Sequence, residues 1–299
     1  MWLLAACAST AVGPSPASST DEELVGKLAV LTRDFRGDVG IYVRHLPTGR
    51  TAALRADDLF PTASLVKVPI LIGLFDRIEA GALEYRRSLV YREERLYPGE
   101  DLLGSFKEGE RIALDKLAML MVAMSDNTAS LWCQELAGTG TAINRWLAGH
   151  GFEKTRVNSR TEGREADKGA WGWGQTTPRE MAELLVWIRE GRAVSPAASE
   201  EMVRLLSKSY WDGEALSQVP PTVHAASKQG AINASRSEVV LVDAPSGAYV
   251  FCVITKNQED QSWKRDNEGL VLLREASRTL WEHFEPGSPW KPAPGADRY

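Results

Sequence analysis

The stretch PTASLVKVPILIGLF, residues 61–75, places a serine and a lysine three positions apart at the start of an otherwise apolar run. Residues three apart lie on one face of a helix, so Ser64 and Lys67 are predicted to point the same way. Burial disfavours the charged form of a lysine, and a lysine that releases its proton can act as a base toward a neighbouring serine. For the motif alone, the simpler explanation is that Ser64 caps a helix while Lys67 extends into water.

Length and composition describe an ordinary globular protein. The chain has 299 residues, of which 43% are hydrophobic and 25% charged, enough for a sizeable core and two packed lobes. The net charge of −5 has no basic stripe, so nucleic acid is not an expected partner. The sequence has no zinc-ligand spacing, no glycine-rich phosphate loop and no histidine in a nucleophile-elbow context, and it predicts no metal or cofactor.

The first twenty residues differ from the rest. MWLLAACAST resembles the end of a bacterial lipoprotein export signal with Cys7 as the lipidated residue, although the usual basic start and longer apolar segment are missing. Either the start codon is misplaced or the likeness is coincidental. The resemblance implies an extracytoplasmic location, in the periplasm or cell envelope, with membrane anchoring only through lipid on Cys7. No later run approaches the roughly 20 apolar residues of a membrane span. Cys133 and Cys252 lie in apolar contexts and are predicted to be buried free thiols.

Periodicity predicts strands at both ends of the chain and helices between them. Thr20 with Glu23 forms a capping-box pattern that predicts a helix start. The β-type runs are 39–46, 50–54, 222–227, 238–243 and 248–256, with PTG and APSG as hairpin turns. Helical patterns cover 64–81, 114–124 and 267–284, and two further helices are predicted to start at Thr177-Pro178 and Ser195-Pro196. Pro69 is expected to distort the first turn of the helix that carries Lys67.

These elements predict an α+β fold of the α/β-sandwich type. An antiparallel sheet of about five strands would be built from both termini and flanked by helices, with an all-α lobe inserted. The predicted division is 1–20 as signal remnant and tether, 21–60 plus 216–285 as the sheet lobe, 61–215 as the helical lobe, and 286–299 as a proline-rich tail.

Two further polar motifs interrupt apolar segments. Ser125-Asp126-Asn127 follows a deeply apolar helix, where capping of the next helix is a sufficient explanation. Lys228-Gln229-Gly230 is predicted at the end of a strand, where a glycine allows close approach of a backbone or ligand, and Arg236 opens the next strand. Taken alone, this second motif is explained as a solvated strand end with ordinary surface cations.

In combination, the three motifs resemble the penicillin-recognising serine enzymes, and class A β-lactamases most closely. That family is characterised by S-x-x-K, S-D-N and K-T-G elements. Here they are Ser64 to Lys67, Ser125 to Asn127, and Lys228 to Gly230, separated by about sixty and then about a hundred residues. The resemblance extends from about residue 22 to about residue 285, and it implies the β-lactamase/transpeptidase-like fold.

The residue types predict acyl transfer. Ser64 would attack an activated carbonyl and form a covalent acyl-enzyme, and Lys67 would accept or relay the serine proton. Ser125 could pass that proton to the departing nitrogen. Lys228 could keep the local potential positive, so that Lys67 more readily stays neutral.

The resemblance also implies binding roles. It places the oxyanion donors at the backbone N–H groups of Ser64 and Ala231, and it assigns the amide side chain of the substrate to Asn127. Lys228 and Arg236 would bind a carboxylate close to the scissile amide, as in a β-lactam or a D-alanyl peptide. Arg236 could also be a plain surface residue. The expected partner is thus a small carboxylate-bearing substrate, and a monomer is expected.

Two departures from the family pattern affect this hypothesis. Gln229 replaces the hydroxyl residue of K-T-G, which leaves affinity and substrate choice open. In the loop NSRTEGREADKGAWGWGQTTP, Glu162 falls within a residue of the expected deacylating glutamate, and Glu165 is a second candidate. Either could be an ordinary surface residue of the loop. Ala166 stands where the resemblance implies a water-holding asparagine, which puts rapid deacylation in doubt.

Three functional hypotheses follow from these observations. The first, favoured by Glu162 and the spacing, is a hydrolase that opens β-lactam rings. The second is a D-alanyl-D-alanine peptidase or a related amide or ester hydrolase with slow deacylation, which needs no glutamate. The third, suggested by Gln229 and Ala166, is an inactive binding domain on the same fold.

Overall fold

The computed structural model describes residues 19–99 and 101–296. Cys7, and with it the predicted lipid site, lies outside the described residues. Within them the α-helices are α1 (Glu22–Thr32), α2 (Lys67–Glu79), α3 (Leu114–Ala123), α4 (Asn127–Leu136), α5 (Thr139–Gly149), α6 (Glu165–Trp171), α7 (Pro178–Arg189), α8 (Pro196–Leu206) and α9 (Glu268–Phe284). The strands are β1 (Ser19–Thr20), β2 (Asp38–His45), β3 (Arg50–Leu54), β4 (Phe60–Pro61), β5 (Ser88–Val90), β6 (Arg111–Ala113), β7 (Arg156–Val157), β8 (Gly174–Thr176), β9 (Ala225–Ile232), β10 (Ser235–Val242) and β11 (Tyr249–Lys256). Short 3₁₀ helices cover Ala63–Val66, Glu93–Arg95, Leu102–Ser105 and Ala215–Gln218.

The main sheet combines strands from both ends of the chain, as predicted. Its order is β1-β3-β2-β11-β10-β9, and every pair is antiparallel except β1 with β3. The predicted five strands are present, and the two-residue β1 adds a sixth at one edge. The α+β prediction is therefore confirmed, and β9 is left as the edge strand that faces the site.

Helices cover both faces of this sheet. Every residue of β10 is buried, and successive side chains of a strand point to opposite faces. Val239 packs into the core formed with α2, α3 and α7, whereas Val240 packs into the core beneath α1 and α9. A strand buried on both sides has no freedom to slip by one residue, so the register that places the site residues is fixed.

Two predicted boundaries are wrong. Thr20 does not cap α1, because it pairs with Thr51 in the sheet, and Asp21 caps the helix instead by accepting a hydrogen bond from Leu24 N at 3.1 Å. The strand predicted at 222–227 is β9 at 225–232, since its pairing with β10 extends as far as Ile232. Lys228 consequently lies within the strand and not near its end.

The helix that carries Lys67 begins with an irregular turn, as expected from Pro69. Ala63–Val66 is a 3₁₀ turn, and α2 follows directly from Lys67. Every residue from Lys67 to Phe75 is buried, because α2 runs through the centre of the helical part and packs against α3, α4, α5 and α8. This environment removes Lys67 from water.

Several local predictions are confirmed. Thr177 and Ser195 cap α7 and α8, each followed by proline in the first turn. Cys133 and Cys252 are buried free thiols. In the described part of the chain, no helix is both long and apolar enough to cross a membrane.

Candidate active site

The Lys67 amine lies at the centre of a cluster of oxygen atoms. Its Nζ is 3.1 Å from Ser64 Oγ, 2.9 Å from Ser125 Oγ and 2.9 Å from Asn127 Oδ1. It also donates to the backbone carbonyl of Ser125. The lysine side chain is fully buried, so these oxygens replace the water that would otherwise solvate it.

The junction between α3 and α4 presents Ser125 and Asn127 to the lysine. Ser125 has a φ of 59°, in the left-handed region that non-glycine residues rarely adopt. Asp126 holds this junction by capping α4 at Ala129 N (2.7 Å) and by accepting from Leu103 N (3.0 Å). The capping explanation is thus confirmed for Asp126, while its two neighbours face the site.

The edge strand β9 brings Lys228 to the same cluster. Its Nζ is 3.1 Å from Ser125 Oγ and 2.8 Å from its neighbour's carbonyl, Gln229 O. The Ser125 hydroxyl therefore lies between two lysine amines, one from α2 and one from the sheet. Side chains from three separated segments of the chain converge around Ser64.

Burial lowers the pKa values of both lysines. Desolvation lowers the pKa of Lys67 to about 7, with the charges of Asp101 and Asp126 acting in the opposite direction. Desolvation lowers the pKa of Lys228 well below its usual value, and the charge of Lys67 lowers it further. Repulsion between two ammonium groups around one hydroxyl favours a state in which one amine is neutral. A neutral Lys67 has a lone pair that can accept the Ser64 proton.

Gly230 permits close approach of the sheet to the serine. A Cβ at this position would lie 3.0 Å from Ser64 N, 2.9 Å from Thr62 O and 2.7 Å from Ser237 Oγ. The prediction of a close approach at this glycine is confirmed. Ala231, the next residue of β9, lines the same cleft as Ser64.

A cleft of about 570 Å³ opens above this cluster. Its wall includes Ser64, Ser125, Asn127, Gly230, Ala231 and Arg236. The nucleophile candidate is thus accessible to a small molecule, whereas the two lysines act from beneath the surface. Among the described residues, no three His, Cys, Asp or Glu side chains come together as a metal site.

Comparison with known proteins agrees with this geometry. A model described as the β-lactamase enzyme family matches residues 23–284. The chain belongs to this family. It is 24% identical over 272 residues to β-lactamase AER-1 of Aeromonas hydrophila, an alignment that covers 89% of each chain. It is 25% identical over 264 residues to a β-lactamase of Rhodobacter capsulatus, covering 88% of this chain and 89% of the relative.

Solved structures show the same fold. The structure of PBP-A superposes with a TM-score of 0.81 at 24% identity, covering 91% of this chain and 99% of PBP-A. A point mutant of PBP-A, solved as an acyl-enzyme complex with penicillin G, gives a TM-score of 0.80 with the same coverage and identity. The chain is accordingly a β-lactamase-like serine enzyme of the hydrolase class.

Arg236 lies in the cleft wall, but most of its N–H groups already donate hydrogen bonds within the protein. Its guanidinium donates to the backbone carbonyls of Ile232, Ser235 and Ser262, and its Nε has no partner among the described residues. Burial lowers the pKa of this arginine. Arg236 is therefore a fixed buried cation and not the surface residue that was the alternative.

Sequence analysis did not single out Ser237, although it lines the cleft. In the β9–β10 register Ser237 is paired with Gly230, and its hydroxyl donates to Gly230 O at 3.1 Å. It stands beside half-buried Gln229, which also lines the cleft. The sequence signal for Ser237 was the alternation of side chains along residues 235–242. This alternation becomes informative only when the pairing of β10 with β9 is known. Ser237 thus adds a hydroxyl to the wall of the cleft.

The structure does not bring Glu162 into the cluster. Glu162 is exposed in a turn, and among the described residues no carboxylate is hydrogen-bonded to Ser64 or Lys67. The neighbouring Thr161 is buried against α5, so close to Gly140 that a Cβ there would collide with the threonine hydroxyl. Glu165 and Ala166 are exposed at the start of α6.

Proposed function

We propose that this β-lactamase family member acts through an acyl-enzyme on Ser64 and opens the ring of carboxylate-bearing β-lactams. The observation that carries the proposal is the buried Lys67 amine, 3.1 Å from Ser64 Oγ with a pKa lowered to about 7. A base poised near the working pH combines the right protonation state with useful basicity.

Acylation follows from the contacts around the serine. The neutral Lys67 amine takes the Ser64 proton as the oxygen attacks the lactam carbonyl. The oxyanion is proposed to accept hydrogen bonds from the backbone N–H groups of Ser64 and Ala231, since Gly230 lets β9 approach Ser64 N closely. The C–N bond then breaks, and Ser125 donates its proton to the departing nitrogen. The protonated Lys67 returns the proton it took from Ser64 to Ser125 Oγ, which leaves Lys67 neutral again, while Lys228 also donates a hydrogen bond to that oxygen.

The substrate carboxylate is assigned to the end of the cleft between Lys228 and Arg236. Arg236 is a buried cation in the wall at this end of the cleft, so it can attract the carboxylate through its charge, and Ser237 lines the same wall. Gln229 is proposed to contact the same group, and Asn127 the acyl side chain.

Deacylation is proposed to be the slow step. Water must attack the ester carbon, and a base must take its proton. Glu162 makes no hydrogen bond to Ser64 or Lys67, so Lys67, whose Nζ is 3.1 Å from Ser64 Oγ, is proposed as the base. We therefore expect turnover limited by release of the acyl group.

Intact-mass spectrometry tests the proposal. Wild-type protein mixed with benzylpenicillin is expected to gain the full mass of the antibiotic and then lose it over minutes or longer, with release of the ring-opened acid. Ser64→Ala is expected to show no gain. A wild-type mass that stays unchanged, or a gain that persists in Ser64→Ala, would overturn the proposal.

Glu162→Gln is expected to change the rate of acyl-enzyme decay by less than about two-fold, because the Glu162 carboxylate contacts neither Ser64 nor Lys67. The measurement is the decay of the penicilloyl mass after removal of free antibiotic, with Glu165→Gln as the matched control. A decay slowed a hundred-fold in Glu162→Gln alone would show that this carboxylate does activate the water.

The second candidate is a D-alanyl-D-alanine peptidase. It is favoured by the same absence of a carboxylate from the contacts of Ser64 and Lys67 in the described residues. Release of D-alanine from a peptide ending in D-alanyl-D-alanine, faster than hydrolysis of benzylpenicillin, would select it. An inactive binding domain is disfavoured by the cluster itself, because an unused buried lysine is costly to keep.

Location and assembly are also proposals. The β-lactamase relatives and the Cys7 context support an extracytoplasmic protein, and the division into sheet lobe, helical lobe and tail stays a prediction. A monomer is proposed, because the cleft is assembled from one chain.

A further inference from the structure

Two exposed tryptophans line the cleft that contains Ser64. Trp211 is 47% exposed and Trp263 is 65% exposed, although burial of an indole ring is strongly favourable. Large apolar rings left in solvent beside a polar cleft are typical of ligand contacts. Neither residue was singled out by sequence motifs, and neither takes part in the acyl-transfer steps above.

Trp211 is held at the Ser125 side of the cleft. Its indole N–H donates to Met124 O at 3.0 Å, immediately before Ser125 in the chain. Tyr210 packs edge-on against the indole with ring centroids 5.4 Å apart, and Tyr210 N donates to Ala123 O. Trp211 is thus fixed next to the hydroxyl that serves the departing nitrogen.

Trp263 is held at the Arg236 side. The guanidinium carbon of Arg236 lies 4.5 Å from the centroid of the indole, and the indole N–H donates to Asn233 Oδ1 at 3.3 Å. Arg236 also donates to Ser262 O, which ties the preceding residue of this loop to the arginine. Trp263 is therefore fixed over the group assigned to the substrate carboxylate.

The two indoles mark the leaving-group end of the cleft. The departing nitrogen is assigned to the Ser125 side and the carboxylate to the Arg236 side, so the carboxylate-bearing ring, which stays attached to the acyl group after the C–N bond breaks, extends between Trp211 and Trp263. Glu214 lines the same end, but its carboxylate is paired with Arg274 and its pKa is raised by burial. Leu270 and Leu273 also line this cleft, and the two indoles are its exposed large apolar side chains.

We propose that Trp211 and Trp263 bind a flat aromatic substituent on the leaving-group side of the substrate, next to its carboxylate. This rests on the proposed function and names the substrate class: β-lactams whose carboxylate-bearing ring also carries an aryl or arylvinyl group. A single D-alanine would leave both indoles without a contact. Aromatic rings stack on one another in offset or edge-on geometry, so selectivity for such a group follows from the ring faces alone.

The test uses two cephalosporins with the same acyl side chain, one with an arylvinyl group and one with a methyl group beside the carboxylate. Binding is measured by calorimetry to Ser64→Ala, which cannot be acylated. The arylvinyl compound is expected to bind about ten-fold more tightly than the methyl compound, equivalent to about 1.4 kcal/mol. In Ser64→Ala carrying Trp263→Ala or Trp211→Ala, that ratio is expected to fall to about two or less.

Two controls keep the result specific. Trp263→Phe is expected to retain most of the ratio, since it keeps an aromatic face, and Trp290→Phe is expected to leave it unchanged, because Trp290 does not line the cleft. Near-UV circular dichroism verifies the folding of each variant. If a Trp→Ala variant loses fold, Trp263→Leu and Trp211→Leu take its place, because leucine keeps an apolar side chain without an aromatic face; they are expected to lower the ratio to about two or less, and an unchanged ratio overturns the inference.

Each other outcome overturns the inference. If a Trp→Ala change weakens the binding of both cephalosporins equally, the indoles only shape the cleft. If the ratio of the two affinities is unchanged, or if neither compound binds to Ser64→Ala, the indoles do not contact an aryl group. The proposed function fails separately, if no β-lactam adds mass to wild-type Ser64. Binding to Ser64→Ala decides the aryl contact whether or not the wild type reacts.

Discussion

Lys67→Ala is expected to slow acylation of Ser64 by about a thousand-fold. The neutral amine, 3.1 Å from Ser64 Oγ, is the base in contact with the hydroxyl, and general base catalysis of this kind contributes roughly 10² to 10⁴-fold. Rapid mixing with a chromogenic cephalosporin, with quench and mass analysis, measures the rate. A fall of less than ten-fold would mean that another group removes the proton.

The pH profile provides a second readout. Only the unprotonated amine can accept a proton, so the wild-type acylation rate is expected to rise with pH and to level off above the Lys67 pKa of about 7. Lys67→Ala is expected to lack this rise. A flat profile in the wild type between pH 5 and 8 would contradict the assignment, because a merely structural lysine would not impose that titration.

Gly230→Ala is expected to slow acylation by about a hundred-fold, the size of effect seen when an oxyanion donor is lost. The added methyl group would lie 2.9 Å from Thr62 O and 3.0 Å from Ser64 N, so strand β9 must move away from the serine. The two oxyanion N–H groups would then separate.

Gly26→Ala is the matched control for that change. A Cβ at Gly26, in α1, meets no atom within 4 Å, so this variant is expected to react as the wild type does. The thermal midpoint of Gly230→Ala is measured alongside, to separate a displaced donor from a destabilised fold. An unchanged acylation rate in a folded Gly230→Ala would show that this approach is not needed for catalysis.

The sequence was sufficient to predict that the side chains of Ser64, Lys67, Ser125 and Lys228 lie together. Ser64 and Lys67 are related by helix geometry, which is local, and that relation survives the irregular first turn. Ser125 and Lys228 could be connected to them only through the spacing of three motifs, and the structure brings all four together. The predicted order of strands and helices was correct for a related reason, since hydrophobic periodicity reports which face of each element is buried.

Features that depend on packing between distant segments could not be predicted. Ser237 reaches the cleft because β10 pairs with β9 in one particular register, and Trp211 and Trp263 reach it through loop contacts without a sequence signature. The end of β9 was misplaced because pairing with β10 extends the strand beyond its local preference.

The position of Glu162 shows the limit of counting along a loop. The number of residues between Glu162 and Pro178 fits the family pattern. The direction in which the Glu162 side chain points depends, however, on which other side chain of the loop is buried. Thr161 occupies the space that Gly140 leaves open, and Glu162 therefore faces solvent. The contact of Thr161 with Gly140 and the exposure of Glu162 cannot be predicted from the spacing of residues along the chain.

The buried Lys67 amine also affects how the folded state responds to alkali. Its pKa is about 7 in the folded protein and 10.5 for an unperturbed lysine, so between these values the unfolded chain binds more protons. The free energy of unfolding contributed by this group therefore increases from pH 7 toward pH 10, by an amount on the order of 4 kcal/mol. At neutral pH the native state lacks that contribution, so the Lys67 amine, taken by itself, shifts the pH of greatest stability toward alkali.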